Sequence, residues 1–162
     1  MNSAPPLAEA LLDLLLLRYR EADGSVPAAP GTLAAVVVGP HVGRAGGLPT
    51  PRLTVTFGNA ARKRASADDR VETKLLLELA LDDAATGDES ALRLALRWAA
   101  WIEAVLVPEC ERGGSYLGGL AEDVAPLDSA FAAGGPGMGE FTLRLRFVLT
   151  TTALLGNPYV TS

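Results

Sequence analysis

The stretch VETKLLLELAL, residues 71–81, decides the fold. Leucine and glutamate are strong helix formers, so composition alone would favour a helix here. The spacing argues for a strand. Val71, Leu75, Leu77, Leu79 and Leu81 share one parity, while Glu72, Lys74 and Glu78 share the other. A period of two separates these sets onto opposite sides of a strand, whereas on a helix it would scatter leucine around the whole circumference. A one-residue slip would send the entire apolar row into water, so the pairing register of such a strand is strongly specified.

Working outward, the same alternation recurs. In RLTVTF, 52–57, Leu53, Val55 and Phe57 oppose Arg52, Thr54 and Thr56. In EFTLRLRFVLTTTAL, 140–154, Phe141, Leu143, Leu145, Phe147 and Leu149 alternate with Thr142, Arg144, Arg146 and Thr150. A shorter run, LAAVVV at 33–38, suits a strand because branched side chains fit a pleated surface. The first two of these segments and 71–81 predict an antiparallel sheet with one covered face.

Two helical patterns can supply the cover. In LAEALLDLLLLRYRE, Leu7, Leu11, Leu14 and Leu15 form a stripe that Leu12, Leu16 and Tyr19 widen. Ser3 is the expected cap, Pro5 and Pro6 suit the first turn, and Gly24 is the expected stop. In TGDESALRLALRWAAWIEAVLVP, Thr86 and Glu89 have capping-box spacing. Leu92, Ala95, Trp98, Ala99, Ile102, Val105 and Leu106 form the expected buried stripe, with Leu94 and Trp101 beside it, and Pro108 stops the helix. The expected fold is therefore α+β: a mostly antiparallel sheet with two helices packed on one face, in a single domain spanning 1–162. Three segments are expected to be irregular: a basic hairpin loop at 58–70, a Gly-rich region at 109–139 holding one short strand near 117–124, and a C-terminal arm at 156–162.

The chain has 162 residues, 49% of them hydrophobic, and a net charge of −5. That length supports a real core, and the net acidity disfavours nucleic-acid binding by the whole surface. The single cysteine, Cys110, excludes an intrachain disulfide. No stretch has the length and apolarity of a membrane span.

The candidate sites give little chemistry. His41, the only histidine, has no motif-signalled nucleophile beside it. Cys110 follows a helix end between two glutamates, which is no activating environment. Asp68–Asp69, Asp82–Asp83 and Asp88–Glu89 lack calcium-loop spacing and read as turn and helix-start charges. GGPGMG, 134–139, precedes a strand and carries no lysine, so it is not a phosphate loop. No catalytic residue, cofactor or metal is expected. What stands out is Arg62, Lys63, Arg64 and Arg70, a basic set in an acidic chain. It is either a solvated turn or a contact arm for an acidic surface, a second copy of the chain included.

The order of elements resembles the tail terminator (tail completion) proteins of long-tailed bacteriophages and phage-derived particles. The features that carry it are LAEALLDLLLLRY, LAAVVV, the hairpin RLTVTF…VETKLLLELAL, the helix ESALRLALRWAAWIEAVLV and the closing EFTLRLRFVLTTT. The resemblance implies a virion protein, assembled in the host cytoplasm, that closes into a hexameric ring. The ring would cap the tail tube, stop its polymerisation and meet the head connector. The partners implied are further copies of the chain, the tail tube protein and the connector protein, with no membrane and no direct sequence-specific nucleic-acid binding. Arg62, Lys63, Arg64 and Arg70 are then expected at a subunit or tube interface. A small α+β enzyme and a nucleic-acid module are the alternatives.

Overall fold

A computed structural model of the chain describes residues 6–22, 29–41, 49–65, 69–87, 89–113, 115–133 and 139–154, side chains at 59, 60, 65 and 154 apart. Seven elements follow one another: α1 (Leu7–Glu21), β1 (Ala35–Val38), β2 (Arg52–Ala65), β3 (Arg70–Ala84), α2 (Ala91–Leu106), β4 (Asp123–Ala133) and β5 (Glu140–Leu154). The strands form one sheet in the order β1-β2-β3-β5-β4. Among the described residues only β1, against β2, is parallel to its neighbour.

The stretch that decides the fold sits at the centre. β3 lies between β2 and β5, with Leu79 opposite Val55 on one side and Leu145 on the other. Leu75, Leu77, Leu79 and Leu81 join Leu53, Val55 and the row Phe141 to Leu149 in one buried cluster. Leu11, Leu15 and Tyr19 of α1 and Leu94, Ala95, Trp98, Trp101, Ile102 and Leu106 of α2 close it. Each large side chain fully buried there is stabilising by about 1.5–3 kcal/mol. The fold is α+β, with both helices packed on the same face of the sheet.

The helices are fastened to each other by polar contacts. Tyr19 donates from its hydroxyl to the Ile102 carbonyl at 2.7 Å, and burial pushes its ionisation far above the ordinary range. Its ring meets Trp101 edge to face at 5.8 Å, and Trp101 meets Trp98 likewise at 5.5 Å. Arg18 donates to the Leu106 carbonyl at 3.2 Å, an acceptor left over at the end of α2. Arg18 also pairs with Glu111, which accepts from the backbone N–H groups of Leu117 and Gly118. Burial alone would raise the Glu111 carboxyl, but Arg18 and those amides together hold it below its usual range.

Several expectations are corrected. The basic segment 58–70 is not a loop over most of its length. β2 continues to Ala65 and pairs with β3 from Arg70, so the segment is a ribbon whose residues 66–68 lie outside the described ones. Its β2 side chains Arg62, Lys63 and Arg64 are exposed and carry no apolar alternation, yet its backbone still pairs. A register shift between Asn59 and Ala61 marks where the covered part ends. In the Gly-rich region 109–139, the expected short strand near 117–124 is instead β4, an 11-residue strand starting at Asp123. Exposed along most of its length, β4 has no apolar period, and its Pro126 is tolerated because the strand is at the sheet edge. The cap of α2 is Ser90, whose hydroxyl accepts from the Arg93 amide at 3.5 Å, and not Thr86. Asp82 and Asp83 lie within β3, not in a turn. Ser3, Gly24 and the arm 156–162 lie outside the described residues.

The buried face of α2 is also rotated from the expected stripe. Leu94 and Trp101 are core residues, while Leu92 is 51% exposed. Leu94→Ala is expected to cost about 2–5 kcal/mol, whereas Leu92→Ala should stay within about 0.5 kcal/mol of wild type. Urea unfolding of the two variants measures this directly.

Candidate functional site

On the sheet face away from the helices, the segment after β1 places His41 over the ends of β2, β3 and β5. Arg52 opposes Asp82, and Asp82 opposes Thr142, in the strand registers. All three side chains therefore share this face, and His41 descends onto them. Asp82, fully buried, accepts from Thr142 Oγ1 at 2.6 Å, from Arg52 Nη2 at 3.0 Å and from His41 Nε2 at 2.7 Å. The other ring nitrogen, Nδ1, faces Arg144 Nη2 at 3.2 Å. Guanidinium cannot accept, so Nδ1 is the acceptor and Nε2 carries the hydrogen donated to Asp82.

This assignment settles what the pair can do. An aspartate beside a histidine can orient a general base only if the second nitrogen is open to a substrate or nucleophile. Here Arg144 occupies it. The nearby hydroxyl, Thr142, donates to Asp82 and not to the imidazole. A depression of about 330 Å³ beside the cluster is lined by His41, Ala130, Ala132, Thr142 and Arg144, and brings in no further nucleophile. The cluster locks the connection after β1 to the sheet. Burial by itself would raise the Asp82 carboxyl, but hydrogen bonds from Thr142 and His41 and the charge of Arg52 outweigh it and hold it below the ordinary range.

The basic set lies at the opposite end of the sheet. Arg62, Lys63, Arg64 and Arg70 are all exposed. They stand on the extension where β2, β3 and β5 continue past the helices, with Arg62 opposite Thr73 and Lys63 opposite Glu72. Alternation puts Arg62 and Arg64 on the helix side, and Lys63 and Arg70 on the other. Lys63 approaches Glu72 at 3.9 Å, and Arg64 pairs with Asp69. Exposed pairs of this kind contribute about 0–1 kcal/mol. The structure thus gathers the four predicted residues at one end but divides them between two faces.

The remaining candidates separate. Cys110 is exposed on a short turn, Glu109–Glu111, next to Glu109 and far along the chain from His41. Asp83 faces the helices and accepts from Trp98 Nε1 at 2.8 Å, while its neighbour Asp82 faces away. Among the described residues no group of three potential metal ligands converges, and no helix is long and apolar enough to cross a membrane. The Arg52–Asp82–His41 cluster was not legible as a unit. Its members are 11 to 41 positions apart, a separation only the registers of β2 and β3 bridge. The one available signal was charge at Arg52 and Asp82, at opposite ends of two strands that pair antiparallel.

No protein-family model matches the chain, and no curated protein matches it.

Asp82→Asn removes the buried carboxylate charge on which Arg52, His41 and Thr142 converge and is expected to cost about 3–5 kcal/mol at neutral pH. The folded-state pKa of Asp82 is lowered, so its stabilisation is complete above the unfolded value, about 3.9, and is lost as pH falls through the folded value. The stability gap between wild type and Asp82→Asn should therefore be full at neutral pH and narrow below about pH 4, as read by urea unfolding across that range.

Proposed function

We propose that the chain is a structural subunit of a phage-type tail: a tail terminator that assembles into a ring, ends tube polymerisation and meets the head connector. Three things support this reading. The first is the order of elements, which resembles that family. The second is the α+β architecture, with a helix-covered sheet as a rigid body. The third, and the observation that carries the proposal, is the exposed basic ribbon.

β2, β3 and β5 run on beyond the helices, and the β3–β5 pairing continues to Arg70 opposite Leu154. A three-stranded extension of this kind adds little to the core, but it is well placed to reach a neighbour. Arg62, Lys63, Arg64 and Arg70 give it a positive end on a chain whose net charge is −5. Complementary charge of this type steers and orients assembly more than it holds it together. The acidic partner surface belongs either to a further copy of the chain or to the tail tube.

Replacing Arg62, Lys63 and Arg64 together by Glu should reduce ring or tail assembly. The three side chains are exposed, so the melting temperature should barely move. Negative-stain imaging and sedimentation of the purified protein test the first point, and thermal unfolding tests the second. A wild-type protein that stays monomeric both alone and with tail tubes overturns the proposal.

A further inference from the structure

We propose that β4 of one copy pairs edge to edge, antiparallel, with the outer part of β2 in the next copy. This deepens the ring reading and rests on it for closure of the assembly, although the pairing itself follows from the strands.

Both strands offer an open edge. Among the described residues β4 pairs only with β5, and its outer side is exposed nearly throughout, with Leu127 and Phe131 both prominent in solvent. Sheet edges are normally blunted by charge, proline or shortness. β4 carries charge at Asp123 and Asp128 and a proline at 126, which favour a charge-matched partner over indiscriminate pairing, and from Ser129 to Ala133 it has neither. At the other edge, β1 covers β2 only between Arg52 and Val55. Gly39 extends that cover as far as the Thr56 hydroxyl, at 2.6 Å. Beyond it, from Phe57 to Ala65, the outer side of β2 has no strand partner among the described residues.

Direction, charge and face agree on how the edges meet. β2 is antiparallel to β3, β3 to β5 and β5 to β4, so β4 runs opposite to β2. Two copies side by side in the same orientation therefore present these edges antiparallel, a heterologous contact that repeats from copy to copy. The row Ala61, Lys74, Thr150, Asp123 puts the start of β4 level with the basic end of β2. Exposed Glu122 and Asp123 mark that start, and Arg62, Lys63 and Arg64 mark that end.

Placing Asp123 opposite Lys63 also places Glu122 opposite Arg64. In each strand the first pair member points away from the helices and the second toward them, so the faces match. The irregularity of β2 between Asn59 and Ala61 then lies level with that of β4 between Pro126 and Asp128. Matching therefore survives past both, to Phe57 opposite Ser129, where β1 of the neighbouring copy takes over the edge of β2, so the pairing spans Glu122 to Ser129 and Ala130 to Ala133 splay away from it. Few registers would satisfy charge, face and bulge together.

The test uses the full chain in sedimentation velocity. One variant reverses the β4 side, Glu122→Arg with Asp123→Arg. A second reverses the β2 side, Lys63→Glu with Arg64→Glu. Each should weaken self-association about tenfold or more, the scale of two attractive cross-strand pairs made repulsive. An equimolar mixture of the two variants should restore assembly, because the basic β4 of one then meets the acidic β2 of the other. If wild type assembles and the variants assemble equally well, or the mixture fails to restore assembly, the edge pairing is overturned while the ring reading stands. If restoration occurs but the particles are open filaments, the pairing stands and the ring reading is overturned. A wild type that does not self-associate overturns the edge pairing, and one that also stays monomeric with tail tubes overturns the ring reading as well.

Discussion

The apolar row shared by β3 and β5 is the constraint on which the rest of the molecule depends. Leu75 faces Leu149, Leu77 faces Phe147, Leu79 faces Leu145 and Leu81 faces Leu143. These pairs form a continuous band that water must not reach, and α1 and α2 are the elements that exclude it. A slip of one residue would expose every member of the band at once, so the register is held by the sum of the contacts and by no single one. Fixing that register also fixes what happens on the opposite side of the sheet.

On that opposite side the same pairing brings Arg52, Asp82 and Thr142 into line and allows His41 to close over them. The helix side of the sheet is sealed by hydrocarbon, but this end of the other side is sealed by a buried charge with its hydrogen bonds satisfied. A buried carboxylate is tolerable only when several donors converge on it, and Asp82 has three side chains doing so. The consequence for chemistry is direct. In this arrangement His41 is engaged at both nitrogens and anchors the connection after β1 to the sheet.

The far end of the sheet follows a different logic. There β2 carries exposed Arg62, Lys63 and Arg64 beside β3 and β5, and of the apolar row only Val71 is still buried. The bulge near Asn59 coincides with this change from covered to uncovered sheet. A solvated ribbon stands at one end, and at one side an exposed edge strand whose last five residues, Ser129–Ala133, carry no charge.

Much of this was decided by the chain's own pattern. The strands at 52–57, 71–81 and 140–154, the helices carrying Tyr19 and Trp98, the stop before Pro108 and the burial of Trp98 follow from local period and residue chemistry, which need no knowledge of distant partners. Three features depended on tertiary structure. β4 exists because β5 offers it an edge, and an exposed strand leaves no apolar period to read. The face of α2 that is buried, with Leu94 in and Leu92 out, depended on the angle at which the helix meets the sheet. The His41–Asp82–Arg52 cluster depended on strand register, because alternation shows which residues share a face and is silent on which of them stand side by side.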